Sequence, residues 1–104
     1  MKNDLTEALE EWRKKIDKVD LQLVKLLNDR ALYAGEIGNI KVVLGLGAYT
    51  PDRENEIMKN VTNANGGPLS PEAVQRLFER IVDESRAVER TAMLKRKNSA
   101  RPKS

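Results

Sequence analysis

From Leu5 to Leu44 no proline interrupts the chain, and apolar or semi-apolar residues recur at Leu9, Trp12, Ile16, Val19, Leu23, Leu26, Tyr33, Ile37 and Ile40, with Arg30 filling the missing step. The gaps alternate between three and four, the spacing of a helix packed along a seam. At 1.5 Å per residue this segment is a rod of ~55–60 Å. A rod of that length cannot bury its face by folding on itself within 104 residues. The pattern therefore points to an intertwined association of two chains.

"GLGAYTP" ends the rod: Gly45 and Gly47 are stop signals, and Pro51 suits the first turn of a new helix. A second helix is expected over 51–64, with Ile57, Met58 and Val61 inward. "NANGGPLSPE" breaks the chain again. Ser70 reads as an N-cap, Pro71 as the first helical residue, and Glu72 sits favourably beside the helix dipole. The third helix carries Val74, Leu77, Phe78, Ile81, Val82, Val88 and Ala92 and is expected to run to about Lys95. No strand-like alternation and no internal repeat occur. The expectation is one all-α domain over residues 1–96, with helices at about 5–44, 51–64 and 71–95. Residues 97–104 form a basic tail, read as disordered.

Composition narrows the chemistry. The chain is 34% charged and 39% hydrophobic but only 4% aromatic, as suits helices. No apolar run approaches the ~20 residues of a membrane span, and "MKNDLTEALEEW" lacks the apolar centre of a signal peptide. A cytoplasmic protein with no membrane association is expected, and the absence of cysteine fits a reducing compartment. There is also no histidine. Thiolate metal sites, the usual metal ligand, the usual general base and the Ser-His or Cys-His nucleophile pairs are all removed, so no metal site is expected. Any chemistry must work by binding and electrostatics, or through carboxylates and lysines. The net charge of +3 owes much to "KRKNSARPKS", where no aromatic residue interleaves the cations, so nucleic acid is not the expected partner.

Polar residues intrude on each apolar stripe. Arg30 and Lys41 point almost the same way on the first helix, since their separation is close to a whole number of turns. Arg13 borders the same seam beside Trp12, and Trp12 and Tyr33 themselves read as packing. On the second helix Glu54 lies one step before Ile57, with Arg53 adjacent. On the third, Ser85 and Glu89 continue the line of Phe78, Ile81 and Val82. Each has a local explanation: Arg30 pairing across the bundle, Ser85 bonding its own helix, Glu89 bridging Arg86 or Arg90. Their recurrence on three helices, with more cations than anions, favours a buried pocket for an anionic ligand. Arg13 and Arg30 lie ~25 Å apart along one straight helix, beyond the reach of one small ligand. An antiparallel pair of first helices centred near Val24 brings Arg13 of one chain opposite the Arg30–Lys41 segment of the other. Two equivalent pockets then share residues across the pair.

The segments "WRKKIDKVDLQLVKLLNDR", "IGNIK", "YTPDRENEI" and "GGPLSPEAVQRLFERIVDESRAVE" together resemble the all-helical (AroQ) class of chorismate mutases over roughly Leu5 to Thr91. The resemblance implies a homodimeric six-helix bundle that rearranges chorismate, a dianion, to prephenate without a cofactor. It implies that Arg13 of the other chain, Arg30 and Lys41 bind carboxylates, and that Lys41 also donates to the ether oxygen of the breaking bond. Arg53 and Glu54 match a pair in which the glutamate meets the substrate hydroxyl; Ser85 matches a carboxylate contact, and Glu89 the second ether-oxygen partner. Thr50 stands where some members have aspartate, which leaves it a weak contact. Glu89 stands where members have glutamine or glutamate, and to donate to an ether oxygen it must carry its proton. The other readings are an isochorismate-pyruvate lyase on the same fold, and a non-catalytic helical regulatory module. Docking to another enzyme of the shikimate pathway stays open.

Overall fold

The computed structural model describes residues 2–100, which form three helices: α1 (Lys2–Leu44), α2 (Pro51–Ala64) and α3 (Pro71–Ala100). The all-α, three-helix expectation matches this architecture. Pro51 opens α2 within its first turn. Ser70 caps α3, its Oγ accepting a 3.1 Å hydrogen bond from the Ala73 amide.

α1 stops where Gly45 takes a left-handed conformation, φ 72°. The Gly45 amide donates to Val42 O at 3.2 Å and the Leu46 amide to Lys41 O at 2.8 Å. These two bonds are the Schellman pattern, which uses up carbonyls the helix end would leave bare. They also turn the chain sharply just after Lys41. Asn65 organises the second connection: its Oδ1 accepts from the Gly67 amide at 3.0 Å and its Nδ2 donates to Leu69 O at 2.8 Å.

Two boundaries differ from expectation. α1 begins at Lys2 rather than near Leu5. α3 continues to Ala100 instead of stopping near Lys95. The apolar pattern fades after Leu94, but no glycine or proline follows before Pro102, and Lys and Arg are good helix formers. Residues 97–100 of the basic segment are therefore helix, and residues 101–104 lie outside the described residues. No described helix is long and apolar enough to cross a membrane.

The packed part is the C-terminal half of α1 laid against α3, with α2 resting on α3 and not on α1 among the described residues. Ala34, Val74, Val82 and Met93 are its buried apolar residues. Gly38 is buried too. The N-terminal half of α1 projects alone, with Leu5, Trp12, Ile16 and Val19 each more than half exposed. The chain spans 74 Å and has a radius of gyration of 19.4 Å, against about 13 Å for a compact domain of this length. A single copy leaves its longest apolar seam uncovered.

Candidate active site

The site begins with a glycine. A Cβ on Gly38 would fall 2.7 Å from the Glu89 carbonyl oxygen and 3.0 Å from its Cα. Backbone therefore meets backbone where α1 crosses α3. Ala34, one turn earlier, is buried in the same seam. The crossing brings Lys41, one turn beyond Gly38, to the Glu89 side chain: Lys41 Nζ lies 2.7 Å from Glu89 Oε1, with both side chains 14% exposed. The contact is an ion pair, and the buried Oε1 has no hydrogen-bond partner among the described residues. Glu89 pairs with Lys41, not with its own-helix neighbours Arg86 or Arg90.

The Lys41 ammonium is also held by the α1–α2 connection. It donates to Ala48 O at 3.0 Å and to Thr50 Oγ1 at 2.9 Å. Thr50 occupies the N-cap of α2, yet its hydroxyl makes no capping bond. With two of its three N–H groups held by the loop, the ammonium has one left for Glu89 or a ligand.

Arg30 lies about three turns before Lys41 on the same face of α1. Its Nη1 donates to Ser85 Oγ, and the Ser85 hydroxyl donates to Ile81 O at 3.0 Å. Burial lowers the Arg30 pKa, and the nearby Arg53 cation lowers it further, against the opposing pull of Glu89. Two guanidinium groups thus disfavour each other in the empty site. Arg53 is held on its own helix by Glu56.

These side chains line one cavity of about 470 Å³, formed by Arg30, Lys41, Arg53, Thr50, Ser85 and Glu89 with Tyr33 and an apolar wall that includes Ile37, Ile57 and Val82. Three cations face one carboxylate. Tyr33, read from sequence as packing, stands on the cavity wall and is largely exposed.

Two of the sequence-derived residues are elsewhere. Arg13 sits on the uncovered half of α1, pairing with Glu10 at 3.0 Å. Glu54 does not line the cavity. Its carboxylate is gripped by Arg86, with Nε–Oε2 at 3.0 Å, Nη2–Oε2 at 2.6 Å and Nη2–Oε1 at 2.5 Å. Asp83 approaches the same guanidinium at 3.6 Å, and the Tyr49 ring lies 5.0 Å from its carbon. The hydrogen bond to Glu54 raises the Arg86 pKa, outweighing burial. Arg86 and Gly38 carried no signal on an apolar stripe; the only hint of Gly38 was a glycine inside a helical run that costs stability unless close packing requires it.

A family profile described as chorismate mutase type II matches residues 12–90. The chain belongs to this family. It is 41% identical over 91 residues to a bifunctional chorismate mutase/prephenate dehydratase of Neisseria gonorrhoeae, covering 86% of this chain and 24% of that protein. A chorismate mutase of Methanocaldococcus jannaschii is 37% identical over 57 residues, 55% of this chain and 58% of the other. The solved structure of a chorismate mutase (form II) from Thermus thermophilus superposes with a TM-score of 0.77 at 34% identity, over 79% of this chain and 93% of that one. The chain spans about a quarter of the length of the bifunctional relatives it matches. The matched stretch 12–90 contains every cavity cation and the parts of α1 and α3 that cross at Gly38. Among type II chorismate mutases, then, this chain keeps a surplus of positive charge in a cavity built where α1 and α3 touch.

Proposed function

We propose that the chain is a chorismate mutase that converts chorismate to prephenate, a cytoplasmic step of aromatic amino-acid biosynthesis. The observation that carries this reading is the cavity where Arg30, Lys41 and Arg53 face a single carboxylate, Glu89. Such a lining suits a small dianion, because Arg30 has no carboxylate partner among the described residues and Glu89 is the one carboxylate in the cavity, already beside Lys41. The reaction is an intramolecular pericyclic shift: the ether C–O bond breaks as a new C–C bond forms, and no proton, electron pair or group leaves the molecule. It requires no nucleophile, so the absence of histidine and cysteine is no handicap.

The residues then act by holding and by charge. Arg30 with Ser85, and Arg13 of a second copy, bind carboxylates; Arg53 adds positive charge. The apolar wall around Ile37, Ile57 and Val82 excludes water and presses the enolpyruvyl arm over the ring, in a near-attack arrangement. Lys41 donates to the ether oxygen, where negative charge grows; for Glu89 to donate to the same atom it must carry a proton. Thr50 orients Lys41 more than it touches the ligand. Glu54 reaches the substrate hydroxyl only by turning from Arg86 or by sharing an oxygen.

The active unit in this reading is a homodimer whose antiparallel α1 helices cover each other's seam and exchange Arg13. The uncovered half of α1 supports it. The test is the loss of chorismate absorbance on adding purified chain, with prephenate identified as product. Pyruvate released from isochorismate, with chorismate untouched, would point to a lyase, and no turnover of either to a binding module.

A further inference from the structure

α2 is the least secured element of the chain. It buries no residue and rests on α3 alone among the described helices. Yet it supplies Arg53 and Ile57 to the cavity. Successive residues on a helix point about 100° apart, so the direction of Arg53 is set by whatever fixes its neighbour Glu54. That fixing contact is Arg86, whose planar fork takes both oxygens of Glu54 at 2.5–3.0 Å in a partly sheltered place, each side chain 23% exposed. A two-point grip resists rotation in a way that a single point charge does not.

The same guanidinium faces the ring of Tyr49. Tyr49 lies between Ala48 and Thr50, whose carbonyl and hydroxyl hold the Lys41 ammonium. One side chain on α3 therefore touches both α2, which presents Arg53, and the loop that holds the Lys41 ammonium.

We propose that Arg86 is a positioning residue: by gripping Glu54 and covering Tyr49 it fixes the rotation of α2 and the course of the 48–50 loop, and so aims Arg53 and steadies Lys41. Arg86 itself does not line the cavity. Its effect passes through Arg53 chiefly, because Lys41 keeps its own bonds when Arg86 is gone.

The kinetic half of the test rests on the proposed chorismate reaction; the exchange half does not. Amide hydrogen exchange is followed in wild type, Arg86→Met and Arg86→Lys. In Arg86→Met, amides of α2 and the 48–50 loop should exchange at least tenfold faster, while those around Gly38 and Val82 keep their protection. KM for chorismate should rise about tenfold with kcat within threefold of wild type, the pattern of weakened binding. Arg86→Lys should recover part of both effects, since it keeps the charge and loses the fork. Unchanged exchange in α2 would overturn the proposal, as would a uniform loss of protection in all helices or a fall in kcat with KM unmoved. If wild type turns over no chorismate, the chemistry proposed for the site fails, and the exchange result still decides the role of Arg86.

Discussion

Arg30 illustrates how one residue can be unfavourable to the fold and necessary to the proposed chemistry. Burial and Arg53 lower the Arg30 pKa. For a base, a folded-state pKa below the unfolded value means that the charged form disfavours folding. The penalty is fully present below the folded pKa and is relieved only as pH rises through it, at the alkaline end. At neutral pH, Arg30→Met should therefore leave the thermal midpoint of the ligand-free protein unchanged or raised, while kcat/KM falls steeply. A midpoint that drops by more than a few degrees would mean that the Ser85 bond outweighs the burial. Lys41→Ala should cost roughly 3–4 kcal/mol of transition-state stabilisation, the size of a lost oxyanion donor, read as a drop in kcat/KM. Glu89 donates only in its acid form and an amide donates at every pH, so Glu89→Gln should retain turnover across the pH range. A severe loss in Glu89→Gln at every pH would rule out the donor role.

At the scale of elements, the geometry depends on how closely α1 and α3 approach. Gly38→Ala puts a methyl 2.7 Å from the Glu89 carbonyl oxygen, a backbone atom that yields only if a helix moves. Such overpacking should destabilise the protein by about 1–3 kcal/mol. It should also separate Lys41 from Glu89 and lower kcat; unaltered denaturation and turnover would show that the crossing tolerates a wider gap. The three helices were legible in the sequence because periodicity, the Gly45 stop and the Ser70–Pro71 start are local signals. Arg30, Lys41, Ser85 and Glu89 were legible as intrusions on apolar stripes, and the structure brings them to one cavity with Arg53 and Thr50. Gly38 was not, because what it meets lies on another helix. Nor was Arg86, which reads as one more surface cation until Glu54 is seen in its grip. The continuation of α3 past Lys95 was not legible either, because hydrophobicity fades there while no breaker residue marks an end.

For the whole molecule, the decisive fact is the long apolar seam of α1 that one copy leaves open. Trp12 and Leu5 are 63% and 73% exposed, and a contiguous apolar surface of this kind is a feature of association sites. In the proposed dimer an antiparallel second copy covers it and carries Arg13 to a cavity already rich in cations. A charge placed at the centre of that pairing, Val24→Glu, should produce a monomer by sedimentation and abolish turnover together; a monomer of full activity would separate the site from the pairing. The most direct measurement mixes two inactive proteins, Arg13→Ala and Lys41→Ala, and follows chorismate after subunit exchange. In a mixed dimer one site keeps Lys41 of the first chain and Arg13 of the second, so activity should return to about a quarter of wild type for random pairing of equal amounts. No recovery, with exchange demonstrated by a labelled subunit, would contradict a site shared between two copies.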